Sequence, residues 1–354
     1  MTVVWKLPQN LKEKDSNLAL DVVDLFGDTQ ETFLADFDWA AECRDEDDIE
    51  LDRKFAEKLN QAMAGYRAKL QPDDEVIILS VDAATTGRLA VTYYQEVPGN
   101  EFIDRVLHWH QNCTWPRWIK LHETKKWVFI NNTAPSPNEI ALAAYGTEQE
   151  KGYLACSDKL KKTTIRRILP CIIGLSPKIP ADIVKAAVNR ASNPQAYSSF
   201  VWQNCVAPVA CAMIKYNEFD GKVNSMELEK DRSYLFGQLL AILEKVEERA
   251  LYLQESKTDD RLTNAKKMWN VYTRRPAITY ERLYSHIVRA YLKRLNPGAR
   301  AKIENEIMQI INVLRETDGF NNNPLNERYL LGYYEEREKL MKSKGEKSNE
   351  GGEE

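Results

Sequence analysis

The sequence has no long hydrophobic run and lacks the cysteine pattern of a secreted or zinc-binding protein. None of its apolar runs approaches the ~18 residues that a membrane-spanning helix needs, and residues 1–6 contain neither a basic n-region nor a long apolar h-region. Its 6 cysteines include no Cys-x-x-Cys pair. We therefore expect no membrane partner, and we expect reduced thiols in a cytoplasmic protein.

Motifs of the common enzyme classes are also missing. The chain contains no glycine-rich phosphate loop, no Gly-x-Ser-x-Gly elbow and no His-Glu-x-x-His run. The sequence therefore predicts a protein without catalytic residues, cofactor or metal.

Two short segments could nevertheless carry chemistry. His108, His110 and Cys113 could bind a metal, but residues two apart on a helix point in different directions, so buried packing is the favoured interpretation. Asp82 follows a strand and precedes Thr-Thr-Gly, which is similar to the first-strand Asp of RNase H-like nucleases. Because no second carboxylate follows at a strand end, a metal-dependent nuclease is the less favoured alternative.

Charge is distributed unevenly, although the formal net charge is only −4. Residues 1–75 carry a net charge of −10, and residues 157–302 carry +12. Such asymmetry is typical of a protein whose basic part meets a polyanion.

Basic side chains recur in clusters along the basic part. On a predicted helix at 157–174, Lys159, Lys162 and Arg166 share a face. Arg289 and Lys293 are four apart on another predicted helix, a like-charge spacing that weakens a helix unless a polyanion compensates it. The predicted contacts with nucleic-acid phosphates are Lys159, Lys162, Arg166, Arg167, Arg274, Arg275, Arg289, Lys293 and Arg300. The alternative is that these faces are merely solvated.

Hydrophobic periodicity predicts an α+β protein that is mostly helical after a small N-terminal sheet. Strands are predicted at 2–5, 76–81 and 88–94. Helices are predicted at 33–41, 51–70, 100–112, 137–146, 157–174, 180–192, 196–217, 229–254, 259–273, 279–295, 298–316 and 323–342. Asp158 and Asp182 are the predicted N-caps of two of them.

The predicted organisation has four parts. Residues 1–134 form an α+β domain with a β-hairpin at 76–96, and residues 135–225 form a helical region. Residues 226–342 form a C-terminal antiparallel helical bundle with short loops, because a clear apolar stripe runs from Leu235 to Leu253. Residues 343–354 are rich in Lys, Glu, Ser and Gly, which predicts a disordered tail.

Four motifs in the same chain resemble the large subunit of the type I-C CRISPR surveillance complex, Cascade. The hairpin at 81–91 reads VDAATTGRLAV, and Trp109, His110 and Cys113 follow it as in that family. Residues 234–245 read YLFGQLLAILEK and are similar to a family helix with the pattern Tyr-x-x-Gly-x-Leu-x-Ala-x-Leu-Glu-Lys. Residues 331–337 read LGYYEER, where the family has Leu-Gly-Tyr-Tyr-His-Gln-Arg.

This resemblance implies a non-catalytic subunit of an RNA-guided antiviral complex that binds nucleic acid and stabilises the R-loop and its displaced strand. The implied partners are crRNA-bound Cascade backbone subunits, target DNA, small subunits and a recruited helicase-nuclease. Family members carry a large N-terminal region, with the part that reads the protospacer-adjacent motif, before the strand that residues 2–5 resemble. We therefore expect no such residues here. The family also makes a small subunit from an internal start, and Met226 is at the matching place.

One rival hypothesis from a different class stays open beside the nuclease. The chain could be a helical adaptor that contacts only protein, with its basic faces exposed to solvent. Only phosphate contact gives a steep salt dependence of binding, so binding of single-stranded DNA at two salt concentrations distinguishes the two hypotheses.

Overall fold

The computed structural model describes residues 2–7, 75–85, 88–120, 127–130, 134–150, 152–219, 228–252 and 263–345. It is an α+β protein and mostly helical, as the sequence predicts. Two compact units divide the chain: the N-terminal unit comprises Met1–Ala187 and Gln203–Lys222, and the C-terminal unit comprises Val188–Trp202 and Val223–Glu354. The helices predicted at 33–41 and 51–70, Met226 and residues 346–354 of the predicted tail lie outside the described residues.

A three-stranded antiparallel sheet begins the N-terminal unit. Its strands, in spatial order, are β1 (Thr2–Leu7), β2 (Glu75–Thr85) and β3 (Arg88–Pro98). Val76, Ile77 and Ile78 are all buried in β2, so apolar side chains cover both faces of the sheet at this point. The hairpin is slightly longer than the predicted 76–96: β2 extends beyond both predicted ends, and β3 begins at the predicted Arg88 but continues to Pro98.

One helix packs against this sheet. Helix α1 (Gly99–Asn112) contacts β2 and β3 and buries Phe102, Ile103, Val106 and Trp109.

Two short hairpins that the sequence analysis missed follow in the chain. Their strands are β4 (Arg117–Lys120) with β5 (Trp127–Ile130), and β6 (Thr147–Glu148) with β7 (Leu154–Ala155).

A partly buried ion pair fixes helix α2 (Pro137–Tyr145), which lies between the two hairpins in the sequence. Ser136 and Glu139 form a capping box at its N-terminus. Arg117, only 3% exposed, donates two hydrogen bonds to Glu139, at 2.8 and 3.1 Å. Burial alone would raise the pKa of Glu139, but the adjacent Arg117 guanidinium and the capping hydrogen bonds outweigh it and lower that pKa.

Three longer helices follow in the chain. They are α3 (Asp158–Ile172), α4 (Ala181–Ala191) and α6 (Ala207–Phe219), with short α5 (Ser199–Val201) before α6. The N-cap of α3 is Ser157, whose hydroxyl accepts from the Leu160 amide, so the prediction of Asp158 as N-cap is wrong by one residue. Asp182 is the second residue of α4, not its N-cap.

The helix predicted at 196–217 is interrupted. A 3-10 turn (Pro194–Ala196) precedes α5, and a π-helical segment (Trp202–Val206) connects α5 to α6. Pro208 lies just after the π segment, and its ring has no N–H and would meet the carbonyl of Asn204 in a regular α-helix. The wider π turn accommodates that proline.

Six helices form most of the described part of the C-terminal unit. They are α7 (Arg232–Tyr252), α8 (Asn264–Lys267), α9 (Trp269–Arg274), α10 (Pro276–Ala290), α11 (Pro297–Glu316) and α12 (Arg328–Gly345). A 3-10 turn (Leu292–Arg294) follows α10, so the helix predicted at 279–295 starts and ends earlier than expected. The apolar stripe of α7 is buried as predicted at Leu235, Leu239, Ile242, Val246 and Ala250.

Two glycines let α7 and α12 cross with their main chains in contact. A Cβ placed on Gly237 would overlap the carbonyl oxygen of Tyr329 and lie 2.8 Å from the Tyr333 amide nitrogen. A Cβ on Gly332 would likewise overlap the carbonyl oxygen of Tyr234. No other residue type fits at either position without moving a helix.

Helices α7 and α12 run in the same direction. Asp231 near the start of α7 pairs with Arg328 at the start of α12, and Glu248 further along α7 pairs with Arg337 further along α12. Short loops predict antiparallel neighbours only for helices that follow one another in the chain. These two are separated by four other helices, so the loop argument does not apply to them.

The core beside this crossing combines aromatic rings with buried charge. Trp202 packs edge-on against Trp269, with ring centroids 5.3 Å apart. Glu244 is fully buried, with Lys266 Nζ at 3.2 Å and Arg337 Nη1 at 3.3 Å from its Oε1. Tyr333 donates to the other carboxylate oxygen. Burial alone would raise the pKa of Glu244, but the two cations outweigh it and lower that pKa.

One arginine makes several of the hydrogen bonds that hold the loop between α11 and α12. Arg232 donates to the carbonyl oxygens of Gly319, Asn321 and Asn323, at 2.8, 2.9 and 2.6 Å. Its guanidinium also lies over the Phe236 ring, 5.3 Å from the centroid. The fixed fork of five N–H donors makes this geometry possible for arginine alone.

Candidate nucleic-acid interface

The predicted phosphate-binding residues fall into two groups, one in each unit. Lys159, Lys162, Arg166 and Arg167 lie on α3 of the N-terminal unit. Arg274, Arg275, Arg289, Lys293 and Arg300 lie on or beside α9, α10 and α11 of the C-terminal unit.

The α3 group occupies the outer face of its helix. The opposite face buries Thr164, Ile168, Leu169, Cys171 and Ile172, which fixes the helix orientation in its unit. Lys159 and Lys162 are exposed, whereas Arg166 is half-buried and its Nε donates to the Lys162 carbonyl oxygen at 3.3 Å.

Arg167 is the member of this group with a firm carboxylate partner. Its two terminal nitrogens donate to both oxygens of Asp182, at 2.7 and 2.5 Å. These hydrogen bonds lower the pKa of Asp182 and raise that of Arg167. A phosphate would have to compete with Asp182, so Arg167 is a weaker candidate than the sequence suggests.

The C-terminal group is spread over the two ends of α10. Arg274 and Arg275 lie at its N-terminal end, and Arg289 and Lys293 lie at its other end. The helix has 15 residues, a length of about 22 Å. Because α10 ends at Ala290 and Lys293 lies in the following 3-10 turn, Arg289 and Lys293 do not share a helical face. The prediction that they repel one another on one helix is therefore wrong.

Arg300, in the first turn of α11, also has an acidic neighbour. Its Nε lies 3.0 Å from Glu304 Oε1, four residues further along the helix. Both side chains are partly exposed, so this pair is weak and open to exchange with solvent ions.

Several of the predicted residues have no such partner. In the described part of the chain, no carboxylate forms an ion pair with Lys159, Arg166, Arg274, Arg275, Arg289 or Lys293. Arg274, Arg275, Arg289 and Lys293 are all exposed. Their charges are therefore available to a polyanion without first breaking an ion pair.

Arg282 belongs to the same surface, although the sequence analysis did not select it. It lies mid-way along α10, is exposed, and forms no ion pair within the described residues. It was missed because selection followed local clusters of basic residues, and Arg282 stands alone in the sequence. A search at seven-residue spacing would have found it.

The histidine and cysteine segment is only partly buried, because His108 is exposed whereas His110 and Cys113 are not. His110 and Cys113 are buried, and burial lowers the pKa of His110 to about 4 and raises that of Cys113. Trp109 packs edge-on against Tyr216, with ring centroids 5.0 Å apart. Across the described residues, no group of three or more His, Cys, Asp or Glu side chains is placed to hold a metal ion.

Asp82 lies inside strand β2, paired with Ala90 of β3. The strand continues to Thr85, so Asp82 is not at the strand end where the sequence analysis placed it. Register irregularities flank it, between Ser80 and Val81 and between Ala83 and Thr85.

A family model described as CRISPR-associated protein (Cas_Csd1) matches residues 1–341. The chain belongs to the Csd1 family of CRISPR-associated proteins. This is the large-subunit family that the four sequence motifs resemble, and membership implies a role in a Cas complex. A search of curated proteins found no match to the chain.

The two C-terminal family motifs meet in the structure at the crossing of α7 and α12. Gly237 belongs to one motif and Gly332 to the other, and each accommodates the main chain of the opposite helix. Tyr234 donates to Glu335 at 2.6 Å, and the Gln238 amide lies 3.4 Å from Glu336. The glutamates that stand where the family has His-Gln therefore bind the partner motif.

No helix among the described residues combines the length and the apolar character that crossing a membrane requires.

Proposed function

We propose that this member of the Csd1 family is a non-catalytic large subunit of a type I-C RNA-guided interference complex that binds nucleic-acid backbones. The observation that carries the proposal is a set of exposed cations on or beside α9, α10 and the following 3-10 turn that form no ion pair among the described residues: Arg274, Arg275, Arg282, Arg289 and Lys293. Exposed, unpaired cations contact phosphates without regard to base sequence.

In this proposal the chain steadies the R-loop by holding the displaced strand of target DNA. Guide–target base pairing supplies sequence specificity in RNA-guided systems, so the protein needs backbone contacts and not base recognition. Its partners are crRNA-bound backbone subunits, target DNA, small subunits and a recruited helicase-nuclease, and its setting is the cytoplasm.

The test is binding of labelled single-stranded DNA to the full chain, measured by fluorescence anisotropy with two unrelated sequences. Each phosphate contact contributes about 0.7 to the slope of log K against log salt on a single strand. If about four cations contact phosphates together, affinity falls about 50-fold between about 50 and about 200 mM salt. We expect similar affinities and slopes for both sequences.

A flat salt dependence would exclude phosphate binding and leave the adaptor hypothesis. Charge reversal distinguishes the members of the group: Arg275→Glu should weaken binding more than Arg167→Glu, because Asp182 already neutralises Arg167. Equal losses at both positions contradict the assignment made from ion pairing.

Non-catalytic status has its own assay. The full chain is incubated with single-stranded and duplex DNA and Mg²⁺ or Mn²⁺, beside the variant Asp82→Asn. We expect no cleavage by either protein. Cleavage by the parent chain that disappears in Asp82→Asn would support the nuclease alternative.

A further inference from the structure

The exposed face of α10 carries three arginines at equal intervals. They are Arg275, which is the N-cap residue, Arg282 and Arg289, and all three are exposed. We call this set the α10 ridge. Its opposite face packs in the unit through Tyr280, Leu283 and Ile287 among others, so the ridge faces away from the core.

Helical geometry aligns the ridge. Successive members are seven residues apart, which is about 20° short of two full turns and a rise of about 10.5 Å. Arg282 and Arg289 therefore lie within about 20° of one another around the axis. Arg275 has non-helical backbone angles (φ −142°, ψ 69°) and adds a third charge at the N-terminal end, about 21 Å from Arg289 along the axis.

Nothing on α10 neutralises the row. Glu281 is the sole carboxylate of the helix and lies about 100° from Arg282 around the axis. Arg275 makes no side-chain capping hydrogen bond, and its positive charge at the helix N-terminus opposes the helix dipole. The ridge therefore gives α10 no evident stabilisation of its own.

The chemistry between the arginines limits what the ridge can recognise. The other exposed residues of α10 are Ile278, Glu281, Ser285 and His286, and among them only His286 is aromatic. Its ring packs edge-on against Tyr291, with centroids 5.7 Å apart. A partner of this surface is therefore bound mainly through its regularly spaced negative charge.

We infer that the α10 ridge is the track on the C-terminal unit along which the sugar–phosphate backbone of one nucleic-acid strand lies, with Arg282 as its central contact. The inference rests on the proposed function and names the residues that perform it. Spacing of about 10.5 Å brings successive arginines to separate phosphates of one strand. Arg275 and Arg289, both predicted from the sequence, then bind phosphates of the same strand, and Arg282 binds a phosphate between them.

The experiment compares three variants of the full chain in the single-stranded DNA assay. Arg282→Gln and the triple variant Arg275→Gln/Arg282→Gln/Arg289→Gln remove ridge charge. Lys302→Gln is the matched control, because Lys302 is 72% exposed in the same unit but lies near Glu306 on α11. Glutamine is a good helix former, so we expect circular dichroism and thermal melting to be unchanged.

We expect Arg282→Gln to reduce the salt slope by about 0.7 and the triple variant by about 2. Raising the salt from about 50 to about 200 mM should then weaken Arg282→Gln about threefold less than the parent chain. We expect Lys302→Gln to keep the slope of the parent chain.

Two failures are distinguishable. If the parent chain has no salt dependence, the proposed function itself is wrong. If the parent chain has a steep slope that Arg282→Gln and Lys302→Gln change equally, nucleic-acid binding stands but the ridge does not carry it.

Discussion

Replacing Gly237 by alanine tests the close crossing of α7 and α12 directly. In a helix interior that change usually stabilises a protein by about 1 kcal/mol, because glycine loses more backbone freedom on folding. Here the added methyl group would overlap the carbonyl oxygen of Tyr329 and crowd the Tyr333 amide nitrogen. Both are main-chain atoms of α12, so no side-chain rotation relieves the overlap.

The helices must therefore separate, and the buried contacts around the crossing loosen. Inserting a methyl group into a packed core costs about 1–3 kcal/mol, and the rigid main chain puts this case at the upper end. Subtracting the gain in helix propensity leaves a net destabilisation of about 2 kcal/mol. For a unit of ~150 residues this lowers Tm by about 4–8 °C.

The matched control is Gly298→Ala in the first turn of α11. A Cβ there meets only Asn296 Oδ1, at 3.8 Å, which is an ordinary contact. We expect this variant to be as stable as the parent chain or slightly more stable. Hydrogen exchange of α7 amides measures the difference in the right unit, because the chain has two units and its global melting need not be two-state.

The double variant Gly237→Ala/Gly332→Ala tests whether the two glycines act at one crossing. Gly332→Ala adds a methyl group at the same crossing, against the carbonyl oxygen of Tyr234. Once one methyl group has separated the helices, the second finds space already open, so the double variant should cost less than the sum of the single variants. Equal protection of α7 in Gly237→Ala and Gly298→Ala would refute the close crossing.

Three further predictions concern buried charge in the C-terminal unit. Glu244→Ala leaves the buried Lys266 ammonium without its carboxylate and leaves Arg337 with Glu248 alone, so it should destabilise the unit by about 3–5 kcal/mol in urea unfolding. Glu304→Ala, which removes an exposed pair, should cost no more than about 1 kcal/mol. The folded-state pKa of Glu244 lies below its ordinary value of 4.5, so its contribution to stability is present above that pH and is lost as the pH falls through the folded pKa. Acid titration of unfolding should accordingly be shallower in Glu244→Gln than in the parent chain, and equal slopes would contradict the pairing. Arg232→Lys replaces a fork that reaches three carbonyls by a single ammonium, so limited proteolysis should cut the 317–327 loop faster than in the parent chain; an unchanged rate would show that other contacts hold the loop.

The sequence predicts most of the helices well because their buried faces repeat at helical spacing. The apolar stripe of α7 is an example, since its period alone places it on one face. Ends are less certain: Ser157 and Asp158 are both good N-cap residues, and the choice between them depends on which one has extended backbone angles. The β4–β5 hairpin was missed although its Trp-Val-Phe-Ile run is rich in strand formers, because its strands are only four residues long.

Exposure of the basic residues could be predicted, but their partners could not. The pair of Arg300 with Glu304 follows from a four-residue spacing on one helix. The pair of Arg167 with Asp182 joins two different helices and depends on the turn between them. The same holds for Glu244, whose partners are contributed by α8 and α12. Long-range charge pairing is a property of tertiary packing, which spacing in the sequence does not reveal.

The segment Val188–Trp202 belongs to the C-terminal unit, so a fragment that begins after it lacks part of that unit. In the sequence, α6 separates this segment from the rest of the unit. The segment contributes Trp202, which is fully buried against Trp269. The Lys266 ammonium lies 5.6 Å from the centroid of the Trp202 ring. A polypeptide that started at Met226 would lack the Trp202 side chain. Loss of a buried tryptophan leaves a cavity and lowers the free energy of unfolding by about 3–5 kcal/mol. Such a fragment would need to repack, or to recruit a ring from another chain, before it reached the stability of the intact protein.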